Sequence, residues 1–231
     1  MPASPQNVVL IPARRGSKRV KNKNRLSIGG RTLLDRTMGA IAESAVISRI
    51  ILSTDDPDLI ETANQYSNIE CDQRPTELAT DETTSADVIR YIVRNKNLQH
   101  CRIILLQLTS PFRTGADITA LLHQMEKSKA SSGVSVCRWR SPPSPPFGTA
   151  TDRATLGPEC VAPGKTLSDL QNQAWAVNGA IYIFDPEVFM RTGKLYDARS
   201  AIHIMEPWRS IDIDYEDDVK IADAIAHHHC I

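Results

Sequence analysis

The sequence lacks a net charge. Lys and Arg together number 27 among its 231 residues, and Asp and Glu also number 27. Nucleic-acid and membrane-surface binders are usually basic overall, so this balance argues against both kinds of partner. Hydrophobic residues make up 41% of the chain, which is typical of a globular rather than a disordered protein.

Three further absences concern the cellular setting. The five cysteines include no C-x-x-C pair, and an odd number cannot all be bridged, so we expect reduced thiols. The opening residues MPASPQN lack the charged and apolar regions of a signal peptide. No apolar run is long enough to span a bilayer. We therefore expect a soluble, cytoplasmic protein.

What is present is an alternation of short apolar runs with longer segments of helical period. The runs predict strands covered on both faces, at residues 8–12, 49–53, 102–108, 133–137, 180–184 and 210–213. Helices are predicted at 32–45, 57–66, 86–95, 117–127 and 216–227, with Asp117 as an N-cap. This order indicates an α/β fold in one domain over residues 1–231, a Rossmann-like, mainly parallel sheet flanked by helices.

Residues 140–163 break this rhythm. They contain six prolines and few apolar residues, and proline restricts the chain and removes amide donors. The segment is therefore predicted to leave the sheet, as a small insertion that contacts a second subunit. A plain surface loop is the alternative.

The segment IPARRGSKRVKNKN, at residues 11–24, gathers six cations directly after a predicted strand. Open parallel sheets bind ligands at the carboxyl ends of their strands. Gly16 and Ser17, placed between Arg14 and Lys18, can wrap phosphates with backbone N–H groups and cationic side chains. The loop is neither a Walker A sequence nor G-x-G-x-x-G, which disfavours kinase-type and dinucleotide sites. A solvated charge run is the alternative.

Asp212 and Asp214 flank one residue in SIDIDYEDD. Alternation along a strand would put both carboxylates on one face, where two like charges need a cation. Paired carboxylates often hold Mg²⁺, which then engages substrate phosphates. The alternative, a strand end followed by a helix cap, explains the acids after Tyr215 better than it explains this pair. The segment QLTSPFR, from Gln107 to Arg113, adds neutral donors and acceptors suited to a sugar or a base edge.

Together these segments resemble the acylneuraminate cytidylyltransferases, also called CMP-sialic acid synthetases. The resemblance follows the chain in order and covers nearly all of it, through IPARRGSKRVKNKN, STDD, RPTELATDETTS, LQLTSPFRT, NGAIYIF and SIDID. It implies a nucleotidyltransferase fold and a Mg²⁺-dependent transfer of CMP from CTP to the anomeric hydroxyl of a nonulosonic acid, with release of pyrophosphate. It also implies a homodimer.

The resemblance assigns roles residue by residue. The phosphate loop comprises Arg14, Gly16, Ser17, Lys18 and Lys23, and the other nucleotide contacts are Asn24 and Arg74. Residues near the sugar are Ser85, Gln107, Asn178 and Tyr182, although core packing competes with this role at the tyrosine. Asp212 and Asp214 form the metal pair, and catalytic roles fall to them and to Lys18. Arg15 and Arg19 are expected to be merely solvated.

One departure concerns the sugar carboxylate. Family members commonly carry an arginine shortly before N-G-A-I-Y, whereas residues 166–177 contain no cation. The candidates that remain are Arg138, Arg140, Arg153 and Lys165. Two other functions stay open: a glycosyltransferase that uses D-x-D for its metal, and a non-catalytic nucleotide-binding regulator. Pyrophosphate release separates the three.

Overall fold

A computed structural model of the chain describes residues 5–139 and 174–231. Within them the strands are β1 (Asn7–Pro12), β2 (Ser27–Ile28), β3 (Arg31–Thr32), β4 (Arg49–Thr54), β5 (Ile69–Gln73), β6 (Arg102–Leu105), β7 (Ser132–Trp139), β8 (Ala174–Phe184) and β9 (Ala201–Met205). The α-helices are α1 (Leu33–Ser44), α2 (Pro57–Ala63), α3 (Ser85–Asn95), α4 (Gly115–Ser128), α5 (Pro186–Thr192) and α6 (Glu216–His229). Short 3-10 turns lie at Lys23–Arg25, Thr76–Leu78 and Pro207–Arg209.

Seven strands form one sheet in the order β5-β4-β1-β6-β8-β7-β9. Strand β8 runs antiparallel to β6 and β7, and the other neighbours in this sheet are parallel. Strand β1 pairs with β4 from Val8 opposite Arg49, and with β6 from Asn7 opposite Arg102. The predicted α/β fold with a mainly parallel sheet is therefore confirmed.

Strand β1 is buried on both of its faces. Val9 and Ile11 belong to a core shared with α1, α2, α4 and α6, whereas Val8 and Leu10 belong to a second core with α3 and α5. Helices thus cover the sheet on two sides. This explains why the strand sequence is continuously apolar instead of alternating between apolar and polar residues.

The loops that follow β1, β4, β5 and β6 meet at one edge of the sheet, because these strands are parallel. Backbone hydrogen bonds join the loops there. The Ala13 N–H donates to the Ser53 carbonyl at 3.0 Å, and the Arg74 N–H donates to the Thr54 carbonyl at 2.9 Å. The cationic loop and the loop that begins at Arg74 are therefore neighbours, although about 60 residues separate them in sequence.

Two strand predictions are wrong at this edge. Residues 210–213 form an irregular segment after the turn Pro207–Arg209, and within the described residues no strand pairs with them. The Ile213 N–H instead donates to the Thr109 carbonyl at 2.9 Å, which holds the segment against the loop after β6. The predicted strand at 102–108 ends at Leu105, because the chain then turns into that same loop.

The predicted N-cap of α4 is also wrong. Thr114 is the N-cap, and its hydroxyl accepts from the Asp117 N–H at 3.3 Å. The Asp117 carboxylate accepts from the Thr114 N–H at 2.8 Å, which completes a capping box. The acid therefore lies in the first turn of the helix, where it also complements the helix dipole.

The proline-rich insertion predicted at 140–163 lies outside the described residues. Within residues 5–139 and 174–231, no helix is both long enough and apolar enough to cross a membrane. The cysteines that the structure describes, Cys71, Cys101, Cys137 and Cys230, are free thiols.

We expect Gly115→Ala to lower the free energy of unfolding by about 1–3 kcal/mol through overpacking. A Cβ atom at Gly115 would lie 2.4 Å from the Ser44 nitrogen and 2.6 Å from the Glu43 carbonyl carbon, where α1 ends against α4. Gly39→Ala is the control, because its Cβ atom meets the flexible end of Arg31 at 3.2 Å. That change should stabilise the helix by about 0.5–1 kcal/mol. Urea unfolding measures both effects, and similar values for the two variants would contradict the tight α1–α4 contact.

Candidate active site

The loops at the carboxyl edge enclose a cavity of about 370 Å³. We call it the smaller cavity. Its lining includes most of the residues to which the sequence assigned nucleotide contacts, together with several others: Arg14, Lys23, Asn24, Arg74, Asp81, Thr84, Ser85, Gln107, Asp212 and Asp214. Ser85, which the resemblance placed near the sugar, lies here. Gly16, Ser17 and Lys18 belong to the adjoining loop and do not line the cavity.

The cationic loop is closed on itself and tied to the sheet. The Asn24 side-chain amide donates to the Arg14 carbonyl at 2.9 Å, so the end of the loop holds its beginning. The Arg15 N–H donates to Asp55 Oδ1 at 2.7 Å. Gly16 has a φ of +82°, in the region that L side chains rarely adopt, so glycine suits this turn. The Arg15 side chain is exposed, as expected.

Two cations of the loop approach Asp214. Lys23 Nζ lies 3.1 Å from Asp214 Oδ1, and Arg19 Nη2 lies 3.3 Å from the same oxygen. The Arg19 guanidinium also lies 5.0 Å from the centroid of the Tyr215 ring. A hydrogen bond with Tyr215 and the charge of Asp214 raise the pKa of Arg19. Arg19 is exposed, but it belongs to this site and not to an unrelated solvated surface.

Arg74 lines the smaller cavity as a buried cation, 6% exposed. It donates to the Ser53 carbonyl at 2.9 Å. Burial lowers the pKa of Arg74, and the nearby charge of Asp55 opposes that shift. The guanidinium therefore supplies a fixed donor and a positive charge next to the loop after β5.

The segment with Asp212 and Asp214 is positioned by a buried ion pair. Arg209, in the turn before it, donates to the Asp117 carboxylate, and His203 Nε2 lies 2.9 Å from the other carboxylate oxygen. Burial alone would raise the pKa of Asp117. The hydrogen bonds from His203 and Arg209, with those from Thr114, outweigh burial and hold this pKa well below its usual range.

A larger cavity of about 840 Å³ adjoins the first. It is lined mainly by β8 and by the segment after β9, with Arg19, Gln107, Asn178, Gly179, Tyr182, Tyr196, Ser210, Asp212, Asp214 and Tyr215 among its residues. Gln107, Asp212 and Asp214 line both cavities. These three residues therefore form the junction of the two cavities. Arg19 is the one Lys or Arg that lines the larger cavity among the residues that the structure describes.

The wall of the larger cavity depends on an irregularity between β7 and β8. Their register shifts between Val134 and Val136, and the Ser135 hydroxyl fills the gap by donating to Asn178 Oδ1 at 2.7 Å. The Asn178 side chain also donates to the Ser210 hydroxyl at 2.9 Å and is 6% exposed. Asn178 thus shapes the cavity and joins β8 to the segment with the two carboxylates.

Tyr182 and Tyr196 form an aromatic pair in the same cavity, with ring centroids 6.1 Å apart and planes at 27°. Burial, then the nearby groups of Tyr196 and Asp212, raise the pKa of Tyr182, so its hydroxyl stays protonated and able to donate. Tyr182 is half-buried. It lines the larger cavity and also packs against the core beside α3 and α5.

Arg113 supports the loop that carries Gln107, a role that was not predicted from the sequence. It is 4% exposed and donates to the carbonyls of Gln107 and Ser110, at 2.9 and 3.0 Å. Burial lowers the pKa of Arg113 to about 9, although the charges of Asp212 and Asp117 oppose the shift. No side-chain pattern signalled this role, because the partners are backbone carbonyls.

The junction offers oxygen donors for one divalent ion. Among the described residues, no cluster of three or more His, Cys, Asp or Glu side chains could hold a metal. Two carboxylates are nevertheless the usual protein share of a Mg²⁺ site, because that ion keeps water ligands and binds substrate phosphates. Asp212 and Asp214 fit this requirement.

Comparison with known proteins identifies the family. A family model described as Cytidylyltransferase matches residues 8–221. The chain belongs to this cytidylyltransferase family. The resemblance inferred from the motifs is confirmed, and with it the prediction that the chain belongs to a family of nucleotidyltransferases.

Individual relatives agree. The chain is 31% identical over 226 residues to the N-acylneuraminate cytidylyltransferase of Escherichia coli, covering 93% of this chain and 51% of the relative. It is 29% identical over 214 residues to the protein of the same name from Streptococcus agalactiae, with coverage of 91% and 51%. The chain thus spans about half the length of these relatives. The CMP-N,N'-diacetyllegionaminic acid synthase of Legionella pneumophila is 28% identical, with 90% of each protein covered.

A solved structure supports the fold. CMP:2-keto-3-deoxy-manno-octonic acid synthetase complexed with CTP superposes with a TM-score of 0.67 at 14% identity, covering 97% of this chain and 99% of the other. At this identity the match concerns the fold alone.

We expect Gly179→Ala to disturb the junction specifically. A Cβ atom at Gly179 would lie 3.2 Å from Gln107 Oε1 and 3.6 Å from Asp212 Oδ2, on backbone with φ +77°. Gly30→Ala is the matched control, because φ is +76° there and no atom lies within 4 Å. Both variants should lose about 1–2 kcal/mol of stability through the left-handed backbone. Only Gly179→Ala should also displace the Gln107 and Asp212 side chains, which crystal structures of the two variants would measure. Unmoved side chains in Gly179→Ala would show that the junction tolerates the extra methyl group.

Proposed function

We propose that the chain transfers CMP from CTP to the anomeric hydroxyl of a nonulosonic, sialic-type acid, in a Mg²⁺-dependent reaction that releases pyrophosphate. The observation that carries this proposal is the pair of adjoining cavities that share Gln107, Asp212 and Asp214. A transfer reaction needs two substrates to meet at one point. The junction is such a point, and Asp212 and Asp214 place two negative charges there.

The smaller cavity suits the nucleotide. Arg14 and Lys23 line it as cations, Lys18 lies in the same loop, and Arg74 adds a buried guanidinium. A triphosphate carries several negative charges, and charge-assisted hydrogen bonds to Arg and Lys are the strongest that proteins offer it. Relatives named as cytidylyltransferases support CTP as the nucleotide.

The larger cavity suits a polyhydroxylated acid. Gln107, Ser210 and the pair of tyrosines offer neutral donors and acceptors, which match the hydroxyl and acylamino groups of such sugars. Arg19 adds a cation that an acid could approach. Relatives named for N-acylneuraminate and for diacetyllegionaminic acid support this substrate class.

The chain's own residues then perform positioning and charge stabilisation. The sugar hydroxyl oxygen forms a bond to the α-phosphorus of CTP, and the bond between that phosphorus and the pyrophosphate oxygen breaks in line. The hydroxyl proton passes to solvent water. Gln107 orients the reacting groups at the junction, while Arg14 and Lys18 stabilise the charge that moves onto the departing pyrophosphate. Mg²⁺ held by Asp212 and Asp214 would supply charge neutralisation at the phosphate oxygens.

The test mixes the protein with CTP, Mg²⁺ and a panel of N-acetylneuraminic, legionaminic and pseudaminic acids. We expect pyrophosphate and a CMP-sugar in equal amounts with at least one acid, and none after chelation of Mg²⁺. A D-x-D glycosyltransferase would instead consume a nucleotide sugar and release a nucleotide, and a binding regulator would turn over nothing. Either result would replace the proposal.

Asp214→Asn should reduce CMP transfer at least about 100-fold while leaving the fold intact, because one carboxylate of the proposed Mg²⁺ pair becomes neutral. Asp217→Asn is the matched control. It removes the same charge three residues further along the chain, from a side chain that is 84% exposed. Steady-state rates at saturating Mg²⁺ compare the two variants. A rate near that of the unaltered protein in Asp214→Asn would remove this carboxylate from the mechanism.

The homodimer and the cytoplasmic location remain predictions from the sequence.

A further inference from the structure

The Asp81 carboxylate forms ion pairs with two cations of the loop that follows β1. Asp81 Oδ1 lies 2.7 Å from Arg14 Nη1, and Asp81 Oδ2 lies 2.5 Å from Lys18 Nζ. Each carboxylate oxygen thus takes a different cation. A phosphate group bridges paired cations in the same manner.

The contact belongs to a structured loop between the turn Thr76–Leu78 and α3. Arg14 Nη1 also donates to the Thr80 carbonyl at 3.1 Å, so the backbone and the side chain of this loop bind the same guanidinium. The hydroxyls of Thr80 and Thr83 lie 2.9 Å apart and close the loop on itself. Asp81 and Thr83 line the smaller cavity together with Arg14. The carboxylate is therefore held where ligand phosphates would approach.

We propose that Asp81 is an internal counter-anion that competes with the β- and γ-phosphates of the nucleotide for Arg14 and Lys18. CTP displaces the carboxylate when it binds, and the carboxylate returns as pyrophosphate leaves. This inference rests on the proposed function. Asp81 would thereby set how tightly pyrophosphate is held, and how fast the site is cleared after CMP transfer.

The charge balance gives the direction of the effect. Without Asp81, two cations face each other beside the cavity and attract any polyphosphate more strongly. The ion pairs are largely exposed, with side chains 37%, 48% and 73% accessible for Arg14, Asp81 and Lys18. Exposed pairs are individually weak, so a ligand with several charges can displace the carboxylate. CMP has no β- or γ-phosphate and does not compete for these cations.

The test is calorimetric titration of the protein with inorganic pyrophosphate and, separately, with CMP. We expect Asp81→Asn and Asp81→Ala to bind pyrophosphate about 3- to 10-fold more tightly than the unaltered protein, with CMP affinity unchanged. Glu82→Gln is the matched control, because it removes one negative charge from the next residue, which forms no ion pair among the described residues. This control should leave both affinities unchanged.

Several outcomes would overturn the inference. Unchanged or weaker pyrophosphate binding in both Asp81 variants would do so, because Asp81 would then be neutral or a ligand of the site. An equal gain in pyrophosphate affinity in Glu82→Gln would show that the effect comes from the net charge of the loop and not from the position of Asp81. The proposed function fails separately, if the unaltered protein binds neither pyrophosphate nor CTP.

Discussion

The buried carboxylate of Asp117 holds together the part of the site that has no regular structure of its own. Asp212 and Asp214 lie in a segment outside the described strands and helices, so the backbone alone does not fix their positions. Asp117 binds Arg209 in the turn before that segment, binds His203 on β9, and completes the capping box at the start of α4. Removing one partner of a buried ion pair typically lowers the free energy of unfolding by about 3–5 kcal/mol, because the other charge stays buried without a partner.

The rest of the site follows from the direction of the strands. Parallel β1, β4, β5 and β6 deliver the loops of the smaller cavity to one edge of the sheet. The reversed strand β8 delivers Gly179 and Tyr182 to the larger cavity, through its irregular pairing with β7. The two cavities thus come from two parts of one sheet, and Asp212 and Asp214 lie where these parts meet.

Much of this arrangement was predictable from the sequence. Continuous apolar runs identified β1 and β4, because strands buried on both faces cannot alternate. The cations beside Gly16 marked the loop after β1 that contributes to the smaller cavity. The segment with the two carboxylates was not predictable as a loop, since alternating Ile and Asp side chains satisfy the period of a strand equally well. The role of Asp117 was also out of reach, because Arg209 is 92 residues away in sequence. Arg113 binds backbone carbonyls, and such partners leave no pattern of side chains to recognise.

The most direct test of the proposed transfer is a crystal structure with a non-hydrolysable CTP analogue and Mn²⁺ in place of Mg²⁺, with the metal located by anomalous scattering. We expect cytosine and ribose in the smaller cavity, the α-phosphate at the junction beside Gln107, and the metal bound by Asp212 and Asp214. A nucleotide seated in the larger cavity, or a metal bound away from both carboxylates, would contradict it.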